Sequence, residues 1–311
     1  MMRACVFIVC ASAATLYAAD SARVWAMGDG VRLNPVTGRV FEARRDIHKD
    51  YPSGDARQGS AVWNATTKTV SLRAARNEFV AFQVVVETDS QLTGADIHVS
   101  PLAGPGGVVI GGRYVAAFKE WYVKVRRPTT GYERLSLGAG WYPDALMPER
   151  RLKLFSSFPF SIPDLYNNIP GQKNQAIWID VFVPNERRSA PPGRYTGEVQ
   201  VTWKDGGDVI RLALDVWDFA LPQENHLPGD IWNGSMRNMS DKEELAYYQM
   251  ARQHRFTPLI YASGRGSRST TATSLSIGPS TIAASRLIWT VPRSRPRVAI
   301  GVLVTEFRST T

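Results

Sequence analysis

The chain has 311 residues, 44% of them hydrophobic and 10% aromatic, with a formal charge of +9. That is enough apolar material for one large domain or two smaller ones with ordinary hydrophobic cores. Residues 264–311 hold seven arginines and one acid, Glu306, so +6 of the +9 sits in the last 48 residues and the other 263 carry only +3; a body so close to neutral excludes the electrostatic footprint of a nucleic-acid binder.

The first element is a predicted signal peptide over residues 1–19. Arg3 supplies a short basic region, Ala4 to Ala14 an apolar run broken only by Ser12, and Ala18 and Ala19 a small-residue cleavage site before Asp20. The run is shorter than the roughly 20 residues of a membrane span. A lipoprotein anchor at Cys10 is the rival reading, but Val9 is large for the residue before a lipidated cysteine. The expected destination is secretion or the periplasm. Both cysteines, Cys5 and Cys10, fall inside this segment, so no disulfide, thiolate metal site or cysteine nucleophile is expected after cleavage.

Short apolar runs of period two follow, separated by Gly, Pro, Asn and Asp. They predict strands over Val70–Leu72, Phe79–Glu87, Asp96–Ser100, Tyr114–Val125, Gln175–Val183, Gly197–Trp203 and Val209–Trp217. Seven or more strands without an amphipathic helix predict a mainly β domain over residues 20–222, an antiparallel two-sheet β-sandwich. Ala176 to Val183 is apolar on both faces, as a central strand requires, and Pro184 stops it. Pro192 to Gly197 is a turn leading into a strand, and Lys204 to Asp208 turns a hairpin into Val209. Gly104 to Gly107 and Gly111–Gly112 read as turns about a short apolar hairpin.

Residues 223–229 read as a linker with two bounding prolines, Pro222 and Pro228. Periodicity then changes. Asp230 to Trp232 is a short strand, and Ser240 is an N-cap with Glu243 three residues on. Leu245, Tyr248 and Ala251 continue at helical spacing, and Thr257 to Ala262 is a second strand. Residues 230–263 therefore predict the first βα unit of an incomplete α/β, TIM-barrel-like domain, since a whole barrel takes about 250 residues. Residues 264–311 contain no Lys, Asp, Asn or Gln, and 16 of the 48 are Ser or Thr. This composition is read as a frameshift near Ser263, with a disordered Arg/Ser/Thr tail and a basic arm for an anionic polymer as the alternatives.

Several stretches, taken in order, resemble the front of glycoside hydrolase family 123 proteins from Val24 to Ala262. They are Val24 to Asp29, Leu72 to Glu78 with Phe82 to Val84, Tyr142 to Pro148, Ile177 to Pro184, Pro192 to Gly197 and Phe219 to Pro222. The resemblance implies a β-sandwich before a (β/α)8 catalytic barrel and glycosides of N-acetylgalactosamine as substrate. It also implies a mechanism in which the substrate's acetamido group attacks while an adjacent Asp and Glu orient it and protonate the leaving oxygen. No Asp-Glu or Glu-Asp dipeptide occurs in this chain, so no catalytic residue carries over.

Asp241, Glu243 and Glu244 suit the positive end of a helix without chemistry. Asn77–Glu78 reads as a turn at a strand edge. His48, His98, His226 and His254 have no ligand spacing, and neither metal nor cofactor is expected. Flat aromatic faces make Trp121, Tyr122, Trp141 and Tyr142 the carbohydrate-contact candidates, although packing is the stronger reading: neighbours on a strand point opposite ways, so one ring of each pair would be core and the other would pack on the neighbouring barrel. Asp144 is read as the cap of the following turn, with a contact to the second domain as the alternative. The expectation is thus an ancillary domain of a secreted glycoside hydrolase-like protein, inactive as this chain. Its alternatives are an exported carbohydrate-binding or cell-envelope module and an intact enzyme with an unrecognised site. A glycan is the partner in view; neither nucleic acid nor a membrane span is expected.

Overall fold

The computed structural model describes residues 22–43, 54–128, 130–131, 136–148, 157–223, 230–231 and 240–258. The expected signal segment and the basic tail lie outside these residues. Fifteen strands and one α-helix are formed among them, with three short 3-10 turns.

The first sheet has the order β1 (Arg23–Gly28), β4 (Glu78–Glu87), β11 (Asn174–Val183), β8 (Val115–Val125) and β9 (Gly140–Pro148), antiparallel throughout. The second has eight strands. Its path runs β10 (Phe160–Ile162), β5 (Leu92–Val99), β12 (Gly193–Trp203), β13 (Gly206–Ala220), β3 (Thr69–Arg76) and β2 (Trp63–Asn64). The hairpin of β6 (Leu102–Ala103) and β7 (Val109–Ile110) joins it through β12, with Gly104 to Gly107 inside its loop. Antiparallel pairing was expected throughout, but β3 and β13 run parallel, Leu72 opposite Leu214. Strands so far apart in sequence need no hairpin between them, so either direction is open to them.

Alternation sets the burial. Val199 and Val201 of β12, and Ile210, Leu212, Leu214 and Val216 of β13, are buried, whereas Gln200, Thr202, Arg211 and Trp217 are exposed. They meet Phe82, Val84, Ile177, Ile179 and Val181 in one hydrophobic cluster. Strand β11 is central and apolar on both faces, and its ladder ends at Val183, before Pro184. Tyr195 is fully buried and its hydroxyl donates to Pro191 O at 2.9 Å. A methyl group on Gly104 would collide with its ring, so the glycine there is a condition of packing rather than of turn geometry.

Beyond the sheets, β14 (Asp230–Ile231) pairs in parallel with β15 (Thr257–Pro258), with helix α1 (Asp241–Gln253) between them. Ser240 and Glu243 form the predicted capping box: Glu243 N donates to Ser240 Oγ, and Ser240 N donates to the Glu243 carboxylate. This is one βαβ unit; no barrel is formed among the described residues. No helix there is long and apolar enough to cross a membrane.

Candidate functional site

Two places concentrate chemistry: the arm formed by β8 and β9, and the point where the chain leaves the sandwich.

Along the arm Val123 faces Tyr142 and Lys124 faces Trp141. The register shifts between Trp121, opposite Ala145, and Tyr122, opposite Pro143. Asp144 is the extra residue of that bulge. The cap of a turn assigned to Asp144 is thus corrected: it lies inside a strand, because β8 continues the pairing through Pro148.

Adjacent residues on a strand face opposite ways, so the four aromatic candidates do not form one surface. Tyr122 is 1% exposed and Tyr142 8%, both too deep to stack on a sugar. Tyr142 stacks on Phe41 with centroids 4.3 Å apart and donates its hydroxyl proton to Gly138 O at 2.8 Å. Trp121 and Trp141 are half-buried, with Lys119 Nζ 5.9 Å and Lys124 Nζ 5.6 Å from the respective ring centroids.

A buried polar network anchors the arm, and the sequence reading missed it. The β8–β11 ladder ends at Lys119 opposite Ile177. Past that point amide side chains stand in for a strand. Asn167 Oδ1 accepts from Tyr122 N at 2.8 Å, its Nδ2 donates to Tyr122 O at 2.9 Å, and Gln175 Nε2 donates to Glu120 O at 2.7 Å. Lys119 and Asp164 form a 2.5 Å ion pair with both side chains 1% exposed. Asp164 Oδ1 also accepts from the backbone N–H groups of Tyr166 and Asn167. Burial pushes the Glu120 carboxyl up to about 8, and its Oε2 has no hydrogen-bond partner. Burial, and then the nearby Glu120, raise the Tyr122 phenol as well. The available signal was the adjacent pair Lys119–Glu120 in an otherwise apolar run. Glu120 is 3% exposed, shut away from any dissolved substrate.

Beside the network lies an open concavity of about 420 Å³, whose lining includes Arg32, Val123, Arg127, Leu137, Tyr142 and Asp144. The β-bulge and the segment before β9 shape it.

The second place is a joint. Asn77 lies at φ 61°, a left-handed conformation that Asn tolerates better than most residues, and it turns β3 into β4. Its Nδ2 donates to Leu221 O at 3.0 Å and its N–H to Val183 O at 2.8 Å. The expected turn role for Asn77–Glu78 is observed, and Glu78 Oε2 accepts from Ala75 N at 2.7 Å. Arg255, just past α1, spans to the same point. Its guanidinium donates to Pro222 O at 2.5 Å and to Asn77 O at 2.6 Å. Next to it His254 stacks on Phe79, centroids 4.4 Å apart, and Phe79 packs on Phe182. Burial raises the Asp180 carboxyl, opposed by its hydrogen bond from Trp178 and by His254.

Among the described residues no group of three or more His, Cys, Asp or Glu side chains is placed to hold a metal ion.

No protein-family model and no curated protein matches the sequence. Solved structures do. The CooA pilin subunit of enterotoxigenic Escherichia coli is similar at 14% identity and a TM-score of 0.27, over 52% of this chain and 96% of that one. AvmM, which catalyses macrocyclization in alchivemycin A biosynthesis, is similar at 5% identity and a TM-score of 0.25, over 50% of this chain and 87% of that one. A family 123 glycoside hydrolase from Clostridium perfringens, studied for glycolipid glycan hydrolysis, is similar over 74% of this chain at 13% identity and a TM-score of 0.48, and the chain spans 36% of that protein.

Proposed function

We propose that the β-sandwich is the non-catalytic ancillary module of a secreted glycoside hydrolase-like protein, and that its task is to carry and orient the α/β domain opening at β14. The observation that carries this reading is the Arg255 clamp. One guanidinium ties the end of α1 both to the exit of the sandwich at Pro222 and to the β3–β4 turn at Asn77. Bonds from a charged donor to two backbone carbonyls fix direction as well as distance, which a flexible linker cannot do. The ordered motifs of the sequence supply the glycosidase setting, with an N-acetylgalactosaminide-type glycan as the substrate class of the complete enzyme. With no Asp-Glu pair, the chain itself is inert.

The test has two readings. The purified chain should release no aryl alcohol from an aryl N-acetylgalactosaminide, and Arg255→Ala should increase the radius of gyration measured by small-angle scattering. Turnover, or a particle unchanged by the substitution, would overturn the proposal.

A further inference from the structure

The concavity on the β8–β9 arm takes no part in the joint or in the buried network. Its volume of about 420 Å³ lies in the range of small-ligand sites. Most of its exposed lining is polar; Val123, Val125 and Pro143 contribute a smaller aliphatic part, and Tyr142 adds a ring edge.

Its charges cancel. Arg32 is committed to Glu42, with its backbone N and its Nε each 2.7 Å from a carboxylate oxygen. Arg127 and Asp144 are exposed, and among the described residues neither side chain has a hydrogen-bond or ion-pair partner. Asp144 is the bulged residue of β9, and a bulge is the local device that re-aims one side chain out of a ladder. The site thus offers a five-donor guanidinium and an acceptor carboxylate beside a smaller set of C–H groups. An anion would be repelled by Asp144 and a cation by Arg127. A pyranose matches both features: its axial C–H face fits the aliphatic part, and neighbouring hydroxyls can donate to the carboxylate and accept from the guanidinium.

We infer that this concavity is a saccharide-binding subsite for a neutral pyranoside, with Asp144 and Arg127 reading adjacent hydroxyls. The site shares no residue with the clamp at Arg255, so it stands or falls apart from the carrier role.

Saturation-transfer NMR on the full chain tests it. The probes are the methyl glycosides of glucose, galactose and mannose, with methyl glucuronide and inorganic sulfate as charged controls. At least one neutral glycoside should receive saturation, with Asp144→Asn and Arg127→Met each weakening binding about tenfold through loss of a charge-assisted hydrogen bond. Arg211→Ala, on the other sheet, should leave binding unchanged, and exposure of all three side chains should keep their unfolding temperatures at the wild-type value. No transfer to any neutral glycoside, preference for glucuronide or sulfate, or equal binding by wild type and both site variants would overturn the inference.

Discussion

At Glu120 the fold holds a carboxyl group that is 3% exposed and has one oxygen without a hydrogen-bond partner, so the proton that neutralises it belongs to the native structure. Burial raises it to about 8, whereas an unfolded glutamate ionises near 4.3, give or take about half a unit. The native state therefore keeps a proton that the unfolded state releases between those values. Its contribution is complete below the lower value, declines as pH rises toward 8, and levels off once both states are ionised. At about 1.4 kcal/mol per pH unit the loss comes to a few kcal/mol. Glu120→Gln should flatten the fall in unfolding temperature between pH 5 and 8; a variant with the wild-type slope would assign that slope to another group. Lys119 tests the same low-dielectric region from the opposite charge. Asp164→Asn keeps the acceptor oxygen for Tyr166 and Asn167 but leaves the ammonium unpaired at 1% exposure, a loss of about 3–5 kcal/mol. Urea denaturation measures it, and a change below about 1 kcal/mol would mean that water reaches the pair.

At the scale of elements, Gly104 and Tyr195 join the β6–β7 hairpin to β12. Gly104 has φ −127°, which any residue adopts, so it is the Tyr195 ring rather than the backbone that bars a side chain there. Gly104→Ala should cost about 1–3 kcal/mol by overpacking. Adding Tyr195→Leu to it should recover part of that cost, a coupling that a double-mutant cycle reads directly. What sequence revealed follows the same physics. Period-two burial made β12 and β13 legible, and Ser240 with Glu243 announced α1, because each signal is local. Strand β9 was hidden: Pro143 and Asp144 argue against a strand, and it exists because β8 supplies a partner and a bulge absorbs the irregular residue. The parallel β3–β13 pair was equally illegible, since neither strand encodes the direction of a neighbour some 140 residues away. At the arm, the aromatic candidates were visible as residue types. Which rings are covered depends on contacts across the chain, such as Phe41 on Tyr142, and so does the burial of Lys119 and Glu120.

For the whole molecule the decisive quantity is how firmly the sandwich holds the α/β unit. Helix α1 leaves Leu245 47% and Met250 39% exposed, and Phe256 beyond it is 47% exposed. Among the described residues, the unit therefore buries little apolar area of its own, and the contacts that tie it to the sandwich are the directed ones at the joint. Arg255 makes two of them from a left-handed backbone, φ 65°, a conformation that favours glycine and costs other residues about 1 kcal/mol. Two substitutions separate the backbone from the guanidinium. Arg255→Ala removes both hydrogen bonds and retains the backbone penalty; Arg255→Gly removes the same bonds and relieves it. If the guanidinium directs the joint, both variants should be cut faster by a broad-specificity protease between Pro222 and Ser240, while the urea midpoint of the sandwich stays at the wild-type value. If helix termination alone fixes the unit, Arg255→Gly should resist cleavage at least as well as wild type, and the carrier role would lose its basis.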